Sequence, residues 1–363
     1  MIIDKLFVQQ FRNYESQLVN LSPGLNILYG NNAQGKTNLL EAIYCAAMGG
    51  TFKNVPDRQM IRIGSEAARV RVRYQARGVQ HINEVFLPAA GRKKLVCDGL
   101  DVKKASELVG RLRLVLFIPA DMELVTGGPA ARRRFMDQSI SQLRPRYLYA
   151  LSRYQKVLEQ KNKLLKSGGS SGLLDVWNEE LAQTGGMVMW YRKSFLTRLG
   201  KIAAGRHREI SGGAETLHME YFTSIPSPED TEMKAFQAAL RRELEANRSK
   251  ECIVRASLIG PHRDDIALTI GSLAARGYAS QGQQRTLLLT LKLSQMDLFR
   301  EETGENPVLL LDDIAGELDA QRLGYLFGAL DQIQVVVTCT QKEQIKTNWA
   351  AAAFRVANGR IEE

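Results

Sequence analysis

Residues 30–37 read Gly30-Asn31-Asn32-Ala33-Gln34-Gly35-Lys36-Thr37, and this stretch decides the fold. It fits G-x-x-x-x-G-K-[ST], the pattern of a phosphate-binding loop (P-loop). The apolar run at 25–29 predicts a strand before the loop, and Leu39, Leu40 and Ile43 lie at helical spacing after it. Because a P-loop requires a strand before it and a helix after it, the match indicates a site rather than an incidental glycine turn.

The residue types in this loop suit a polyphosphate. Gly30 and Gly35 allow successive backbone N–H groups to face one anion, and the following helix adds about half a positive charge at its N-terminus. Lys36 supplies a positive charge to the β- and γ-phosphates, and the Thr37 hydroxyl is a ligand for Mg²⁺. The loop therefore predicts a nucleoside triphosphate and Mg²⁺ as cofactors.

The composition limits the class of protein. The chain has 363 residues, enough for one large domain or two lobes, and a net charge of +10 that favours a polyanionic partner. Its four cysteines are scattered, so we expect reduced thiols rather than a zinc site or a disulfide framework. Without a signal-peptide pattern or a membrane-length apolar run, the sequence predicts a cytoplasmic protein with no membrane partner.

Strands are predicted on both sides of the P-loop. Two of them cover residues 2–7 and 17–21, and the turn between them carries Arg12 and Asn13. These two residues lie near the nucleotide if the strands flank the P-loop strand; a solvated turn is the alternative. Period-two alternation from Arg69 to Val102, with a hairpin signal at Asp98-Gly99, predicts an antiparallel β-layer beside the main sheet.

The middle of the chain, from Asp121 to about Arg255, has helical periodicity. Two apolar stripes, at residues 147–165 and 173–202, flank a flexible turn at 166–172 and predict an antiparallel helical hairpin roughly 30 Å long. Gly185-Gly186 is expected to weaken or kink the second helix, by about 1 kcal/mol for each glycine.

Basic residues crowd this helical region and as a set favour a phosphate-contacting surface, although a solvated helix face is the better reading of any single one. The triple-arginine run at 132–134 could equally pair with carboxylates such as Asp121 and Asp137. The candidates for DNA contact are Arg132, Arg133, Lys156, Lys163, Arg192 and Arg206.

Two motifs stand in the last third of the chain. A Ser-x-Gly at Ser280 opens a helix predicted over 286–300 and offers a second anion site, an ordinary Ser N-cap being the alternative. An apolar strand then ends in Asp312-Asp313. Adjacent carboxylates raise each other's pKa unless a cation is close. Mg²⁺ beside a triphosphate supplies that cation, with Asp312 on the metal and Asp313 on the attacking water.

The combination of these motifs resembles the ABC-type ATPases related to SMC heads, and within them the RecF family of bacterial DNA-gap repair proteins. The residues that carry the resemblance are Phe11-Arg12-Asn13-Tyr14, Gln34 to Ala42, Arg132 to Asp137, Gly260 to Asp265, Ser280 to Thr286 and Leu311-Asp312-Asp313. The resemblance covers both ends of the chain and part of the middle, but not the helical hairpin.

The resemblance implies an α/β fold in which an ABC/SMC-head-like P-loop ATPase lobe contains an antiparallel β-layer. The second lobe is largely helical, with a short antiparallel coiled-coil-like hairpin. We place the ATPase lobe at 1–120 and 255–363, and the helical lobe at 121–254.

The resemblance also implies the site residues. Those assigned to ATP are Arg12, Asn13, Gly30, Asn31, Asn32, Ala33, Gln34, Gly35, Lys36, Thr37 and Asn38. Thr37 and Asp312 would bind Mg²⁺, and Lys36, Asp312 and Asp313 would be catalytic. The γ-phosphate on the opposite subunit of a homodimer would be reached by Ser280, Gln281, Gly282 and Gln283.

The family implies a weak, DNA-stimulated ATPase that dimerises on binding ATP, clamps double-stranded DNA at gap junctions, and acts with RecR and RecO to load recombinase. A nucleotide-gated recruiter of a partner protein, with DNA contact secondary, is the alternative. A transporter motor and a nuclease are disfavoured, since there is a basic hairpin and no further carboxylate cluster.

Three residues depart from the family pattern. Ala33 replaces a glycine and would be strained at positive φ. Ala120 replaces an acidic residue, and Gly316 replaces a serine before Glu317.

Overall fold

In the computed structural model the described residues are 1–53, 55–168, 171–228, 230–316, 318–330, 332–345 and 350–362. They form two compact units, Met1–Asp121 with Arg285–Glu363, and Met122–Gln284. The sequence placed the second boundary at 254/255 instead. The structure differs because the strand Asp265–Ile270 pairs with Leu217–Phe222, which keeps this part of the chain in the helical unit.

The chain begins and ends in strands, and its helices lie between them. The strands are β1 (Ile2–Phe11), β2 (Tyr14–Asn20), β3 (Leu25–Tyr29), β4 (Ala67–Ala76), β5 (Val79–Pro88), β6 (Lys94–Cys97), β7 (Leu100–Val102), β8 (Leu114–Phe117), β9 (Leu217–Phe222), β10 (Asp265–Ile270), β11 (Leu273–Ala274), β12 (Val308–Leu311), β13 (Val335–Cys339), β14 (Ala351–Ala357) and β15 (Arg360–Glu362). The helices are α1 (Lys36–Met48), α2 (Ala105–Leu108), α3 (Glu123–Thr126), α4 (Pro129–Leu143), α5 (Pro145–Ser167), α6 (Ser171–Ile210), α7 (Met233–Ala246), α8 (Arg248–Val254), α9 (Ala275–Tyr278), α10 (Gln281–Thr303) and α11 (Ala320–Gly328).

The first unit is built around a sheet of order β15-β14-β3-β13-β12-β8. Strands β14, β3, β13, β12 and β8 are parallel, and β15 pairs antiparallel at the edge. Strands β12 and β13 are buried along their whole length, as continuous Leu and Val runs predict for parallel strands. The carboxyl ends of β3 and β12 therefore meet at one edge of the sheet, which places the P-loop beside Asp312.

A second sheet, of order β2-β1-β4-β5-β6-β7, is antiparallel throughout and confirms the predicted β-layer. Helix α1 packs its Leu39, Leu40 and Ile43 into the same buried core as Val70 and Val85 of this sheet. The first strand runs to Phe11, further than predicted, so the turn to β2 is confined to Arg12 and Asn13.

The second unit contains the predicted helical hairpin, formed by α5 and the 40-residue α6. Part of its predicted turn, residues 169 and 170, lies outside the described residues. A three-stranded sheet of order β11-β10-β9 completes the unit, and β9 falls in a region predicted to be helical. No helix in the described part of the chain is both long and apolar enough to span a bilayer.

The pair Gly185-Gly186 does not interrupt α6, contrary to the expected kink. A Cβ on Gly186 would lie 2.6 Å from the backbone N and Cα of Gln237 in α7. The glycine therefore permits α7 to approach α6 closely, and this packing compensates for its low helix propensity.

Candidate functional site

The P-loop connects β3 to α1 and has the backbone shape that its glycines permit. Gly35 has a φ of 117°, and a Cβ there would lie 2.7 Å from the Asn13 amide nitrogen. The Tyr14 hydroxyl donates to the Gly35 carbonyl at 3.1 Å. The turn between β1 and β2 therefore closes on the loop so tightly that only glycine fits at position 35.

The Lys36 side chain is buried and folds back over the loop. Its Nζ donates to the carbonyls of Gly30 at 2.7 Å and Asn31 at 2.8 Å. Burial lowers the pKa of the Lys36 ammonium, and the nearby Asp313, Cys339 and Asp312 oppose that shift. The ammonium thus points to the centre of the loop, where a phosphate group would replace the carbonyls.

The carboxylate of Asp312, directly after β12, connects the start of α1 to the neighbouring strand β13. Its Oδ1 accepts hydrogen bonds from the hydroxyls of Thr37 at 2.7 Å and Thr338 at 2.8 Å. The next residue, Asp313, has a φ of 50° and its N–H donates to the Thr338 hydroxyl at 2.9 Å. The structure thus brings Lys36, Thr37, Asp312 and Asp313 together, as the sequence predicted.

A second set of contacts holds the P-loop from outside. The Gln34 carbonyl accepts from the Asn13 side chain at 2.9 Å and from the Gly359 N–H at 3.0 Å. The Gln34 side chain accepts from the Asn358 N–H at 2.7 Å, and Asn38 donates to Asn13 at 2.9 Å. The sequence did not reveal the role of Asn358 and Gly359, because a contact between residues so distant in the chain leaves no local pattern.

Arg12 lies beside the P-loop helix but contacts protein groups instead of facing the loop. Its Nε and Nη2 donate to the buried Glu41 carboxylate at 2.9 and 2.5 Å, and its Nη1 donates to the Gln59 carbonyl at 2.7 Å. Burial opposes ionisation of Glu41, but Arg12, Thr51 and Lys53 outweigh it and hold the pKa of Glu41 below its ordinary value. Arg12 therefore fixes the turn from which the Asn13 side chain donates a hydrogen bond to the P-loop.

The tip of the P-loop is open to solvent. Asn31, Asn32 and Ala33 are exposed, and Ala33 has a φ of 64°. The sequence identified Ala33 as a position that would be strained at positive φ, and the structure has it in this conformation.

The other two departures have different surroundings. Beside Ala120, the Asp121 carboxylate binds the Lys292 ammonium at 2.8 Å. Gly316 ends a short 3₁₀ helix. Glu317, named with it, lies outside the described residues.

Ser280 begins α10 as an N-cap. The Gln283 N–H donates to the Ser280 hydroxyl at 3.2 Å, and the Gln283 side chain accepts from the Ser280 N–H at 2.8 Å. This reciprocal pair is a capping box. Ser280 and Gln281 are exposed, so their helix end is accessible to an anion from another molecule.

The predicted DNA-contacting cations divide into two groups. Arg132 is buried and donates to both oxygens of Asp265 at 2.6 and 2.9 Å, rather than pairing with Asp121 or Asp137. Arg192 is buried between Asp137 and Asp264. Their inclusion in a DNA surface is therefore wrong, because each already has its counter-ions inside the unit.

The remaining candidates retain some exposure. Lys156 is exposed, Lys163 pairs with Glu159 at 2.7 Å, and Arg206 pairs with Glu209 at 3.3 Å. Arg133 is half-buried and donates to the Asp264 carbonyl at 2.8 Å. These four are the cations of the predicted six that could reach a phosphate.

The donor set at the P-loop fits Mg²⁺ that arrives with a phosphate. A hydroxyl and a carboxylate, Thr37 and Asp312, share one hydrogen bond and lie where two oxygen ligands are needed. Across the described ranges no group of three or more His, Cys, Asp or Glu side chains could hold a metal alone. Mg²⁺ commonly completes its octahedron with phosphate oxygens and waters, so two protein ligands are a typical number.

Comparison with known proteins agrees with this geometry. The family model described as the RecF/RecN/SMC N terminal domain matches residues 2–361. A "DNA replication and repair protein RecF" from Lachnoclostridium phytofermentans is 37% identical over 369 residues, covering 100% of both chains. One from Symbiobacterium thermophilum is 39% identical over 367 residues, covering 99% of this chain and 98% of the relative.

Solved structures give the same result. A structure of the recombination mediator protein RecF-ATP in the RecFOR pathway superposes with a TM-score of 0.92 at 33% identity, covering 99% of this chain and 97% of that one. An SMC head domain from Pyrococcus furiosus, at 14% identity and a TM-score of 0.57, shares the fold. On sequence, on structure and on the placement of its P-loop residues, this chain belongs to the RecF family.

Proposed function

We propose that this protein binds and hydrolyses ATP and binds double-stranded DNA in the recombinational repair of gaps. The observation that carries the proposal is the meeting of Thr37 and Asp312 at 2.7 Å beside the buried ammonium of Lys36. This arrangement provides a positive charge and two oxygen ligands at the end of a phosphate-binding loop. The RecF-ATP structure that this chain resembles supports ATP as the nucleotide.

Each residue of the site has a separate task in the proposed hydrolysis. Lys36 and the loop N–H groups hold the β- and γ-phosphates, and Thr37 and Asp312 hold Mg²⁺, which neutralises charge on the phosphate oxygens. Asp313 orients the attacking water and accepts its proton. Since Asp313 is one methylene shorter than glutamate, we expect slow turnover, which DNA stimulates.

The proposed active form is a head-to-tail homodimer with two-fold symmetry. Ser280 to Gln283 have no phosphate motif near them in sequence, yet Ser280 and Gln281 stand exposed at a helix N-terminus. In the dimer they contact the γ-phosphate that the other subunit holds, so each ATP is bound by two chains. ATP binding therefore closes the dimer, and hydrolysis opens it.

The proposed DNA contact uses exposed cations of the helical unit, with Lys156, Lys163, Arg133 and Arg206 as candidates. Lysines and arginines on helix faces contact phosphates and read little sequence, so we expect weak base preference. The protein would act at gap junctions with RecR and RecO, in keeping with the RecFOR pathway named for its structural relatives.

A nucleotide-gated recruiter of a partner protein is the second candidate. One observation favours it: Arg132, Arg192 and Lys161 are buried in ion pairs, which reduces the cationic surface open to DNA. In this case the dimer would hold its partner protein, and DNA contact would be secondary.

Fluorescence anisotropy of a labelled duplex and a labelled gapped duplex tests the proposal. With ATP and Mg²⁺, the log of the binding constant should fall with log salt by about 0.9 for each phosphate contacted. Binding should be lost with ADP. DNA binding that does not depend on the nucleotide, or does not depend on the salt concentration, would contradict the proposed clamping of DNA. An Asp313→Asn variant that binds ATP without hydrolysis and still supports repair would favour the recruiter.

A further inference from the structure

The antiparallel sheet has one covered face and one bare face. Helix α1 packs against the first face, within the buried core of the unit. On the opposite face Leu18, Ile82 and Phe86 are 50%, 38% and 40% exposed, and Phe7 lies directly opposite Leu18 in the register. Solvent-facing positions of such a sheet are usually polar, so a group of apolar side chains here indicates a contact surface.

A row of arginines crosses this bare face. Arg69, Arg71 and Arg73 occupy alternate positions of β4 and therefore point to the same side. Each contacts a carboxylate through Nε: Arg69 and Arg71 reach Glu84 at 2.8 and 2.6 Å, and Arg73 reaches Asp4 at 2.7 Å. Their terminal Nη groups have no hydrogen-bond partner within the described ranges. The three arginine side chains are thus fixed through Nε, while their Nη groups remain able to donate to a ligand.

The arginines and the apolar residues line one groove. It consists of two hollows of about 400 and 470 Å³ that share Arg69. Among the residues that the structure describes, no carboxylate lines the first hollow, whose walls combine cations with apolar side chains. The residues that line it are Lys5, Phe7, Leu18, Arg69, Arg71, Arg73 and Ile82.

We propose that this groove docks an extended acidic peptide of a partner protein, in which Asp or Glu alternates with bulky apolar residues. Alternate residues of an extended chain repeat about every 6.6–6.8 Å, which is also the spacing of the three arginines along β4. The carboxylates pair with the open Nη groups, and charge-assisted bonds of this kind are strong. The apolar side chains of an extended chain point to the side opposite its carboxylates, and there they cover Phe7 and Leu18 on the strands β1 and β2 beside the arginine row.

Single-stranded nucleic acid is also anionic, but the apolar part of the groove suits it less well. Sequence-independent binding of bases relies on aromatic rings on which successive bases stack. Phe7 and Phe86 lie on β1 and β5, which β4 separates, and the other apolar residues of the groove are aliphatic. Aliphatic side chains between cations favour a peptide.

The test uses a fluorescein-labelled peptide that alternates Asp with Leu, titrated with the full-length protein. Arg71→Gln/Arg73→Gln keeps much of each side-chain stem and removes the charge. We expect it to weaken peptide binding at least about tenfold, and Leu18→Ser to weaken it as well. The matched control, Arg300→Gln/Arg355→Gln, removes two exposed charges of the same unit away from the groove and should bind as the wild type does.

Four further results decide the outcome. A peptide that alternates Asp with Ser should bind much more weakly, and equal binding would overturn the apolar part of the proposal. Oligothymidylate should not displace the Asp-Leu peptide; if it binds through Arg71 and Arg73 while the peptide does not, the face takes nucleic acid instead. No saturable peptide binding would also overturn the proposal. ATP affinity should be the same in all variants, because this groove is independent of the nucleotide site.

Discussion

Each unit of the protein buries a cation among carboxylates, and the two sites differ in what holds the cation. Lys36 donates to two carbonyls of its own loop, and the neighbouring carboxylate of Asp312 is occupied by two hydroxyls. A backbone carbonyl is a weaker partner for an ammonium than a phosphate is. The Lys36 site can therefore exchange its internal contacts for a ligand.

The Arg192 site in the helical unit is already complete. Its guanidinium donates to Asp137 at 2.8 Å, Asp264 at 2.9 Å, the Tyr147 hydroxyl at 3.1 Å and the Pro261 carbonyl at 2.6 Å. Four of the five N–H donors of this buried guanidinium are thus used within the unit, two of them by carboxylates, so Arg192 has little left to offer a ligand. The comparison shows that burial of a charge marks a ligand site only where its present partners are replaceable.

The largest effect should come from Lys36→Met. In the proposed function the Lys36 ammonium is a buried partner of the phosphates, so its loss should cost about 2–5 kcal/mol, or roughly 30- to several thousand-fold in ATP affinity. Isothermal titration calorimetry with Mg-ATP measures it. An affinity within about threefold of wild type would show that Lys36 does not contribute to ATP binding. It would also contradict the distinction between Lys36 as a ligand-binding cation and Arg192 as a structural one.

Arg192→Met should act on folding instead. Breaking a buried ion pair leaves Asp264 without its cation and costs about 3–5 kcal/mol of unfolding free energy. Urea denaturation measures this, with Arg153→Met as control because Arg153 pairs with Glu180 on the surface. A stable Arg192→Met protein that has lost DNA binding would contradict the structural role given to Arg192.

The Arg192 region should also respond to acid through His262, whose Nδ1 lies 2.5 Å from the Tyr154 hydroxyl. Burial lowers the pKa of His262 to about 4, although its contact with the Ser257 carbonyl opposes this. Between the ordinary pKa and this value the unfolded chain binds a proton that the folded chain does not. The contribution of the neutral, buried His262 to the unfolding free energy is thus fully present above about pH 6.5 and is lost as the pH falls towards about 4.

Urea denaturation at about pH 7.5 and about pH 5 measures this loss. The contribution of His262 should decline by about 2 kcal/mol between the two pH values. His262→Gln lacks the titrating group and should lose correspondingly less stability. Identical acid losses in the two proteins would contradict the burial of a neutral imidazole.

The smallest effect should come from Ala33→Gly in the P-loop. Ala33 adopts a φ of 64°, a conformation that costs a residue with a Cβ about 1–2 kcal/mol, and glycine recovers part of this while adding entropy to the unfolded chain. We expect a gain of up to about 1 kcal/mol in unfolding free energy. Thermal unfolding measures the change, and a destabilised variant would show that the loop is not strained at this position.

The sequence predicted the P-loop, its flanking strand and helix, and the meeting of Lys36 with Asp312, because residue type and spacing encode each of these locally. Hydrophobic periodicity similarly predicted the antiparallel layer and the helical hairpin. The strand β9 was not predicted, since its partner β10 follows far later in the chain and the pairing leaves no short-range signal.

Charged residues were harder to place than apolar ones. The local sequence around an arginine in a basic region is the same whether the side chain is exposed or buried in an ion pair. Buried Arg132 and Arg192 could therefore not be distinguished from exposed Lys156 until their carboxylate partners were located. The support that Gly359 gives to the P-loop was missed for a different reason, since Gly359 is far from Gln34 in the chain and the two are brought together only by the sheet.

Sedimentation velocity with Mg²⁺ and a non-hydrolysable ATP analogue tests the central claim, that one ATP is shared by two chains. The wild-type protein should be monomeric without the analogue and dimeric with it. Ser280→Arg should bind the analogue with wild-type affinity but remain monomeric, because the arginine occupies the place of the partner's phosphate. A wild-type protein that stays monomeric when saturated with the analogue would contradict the account.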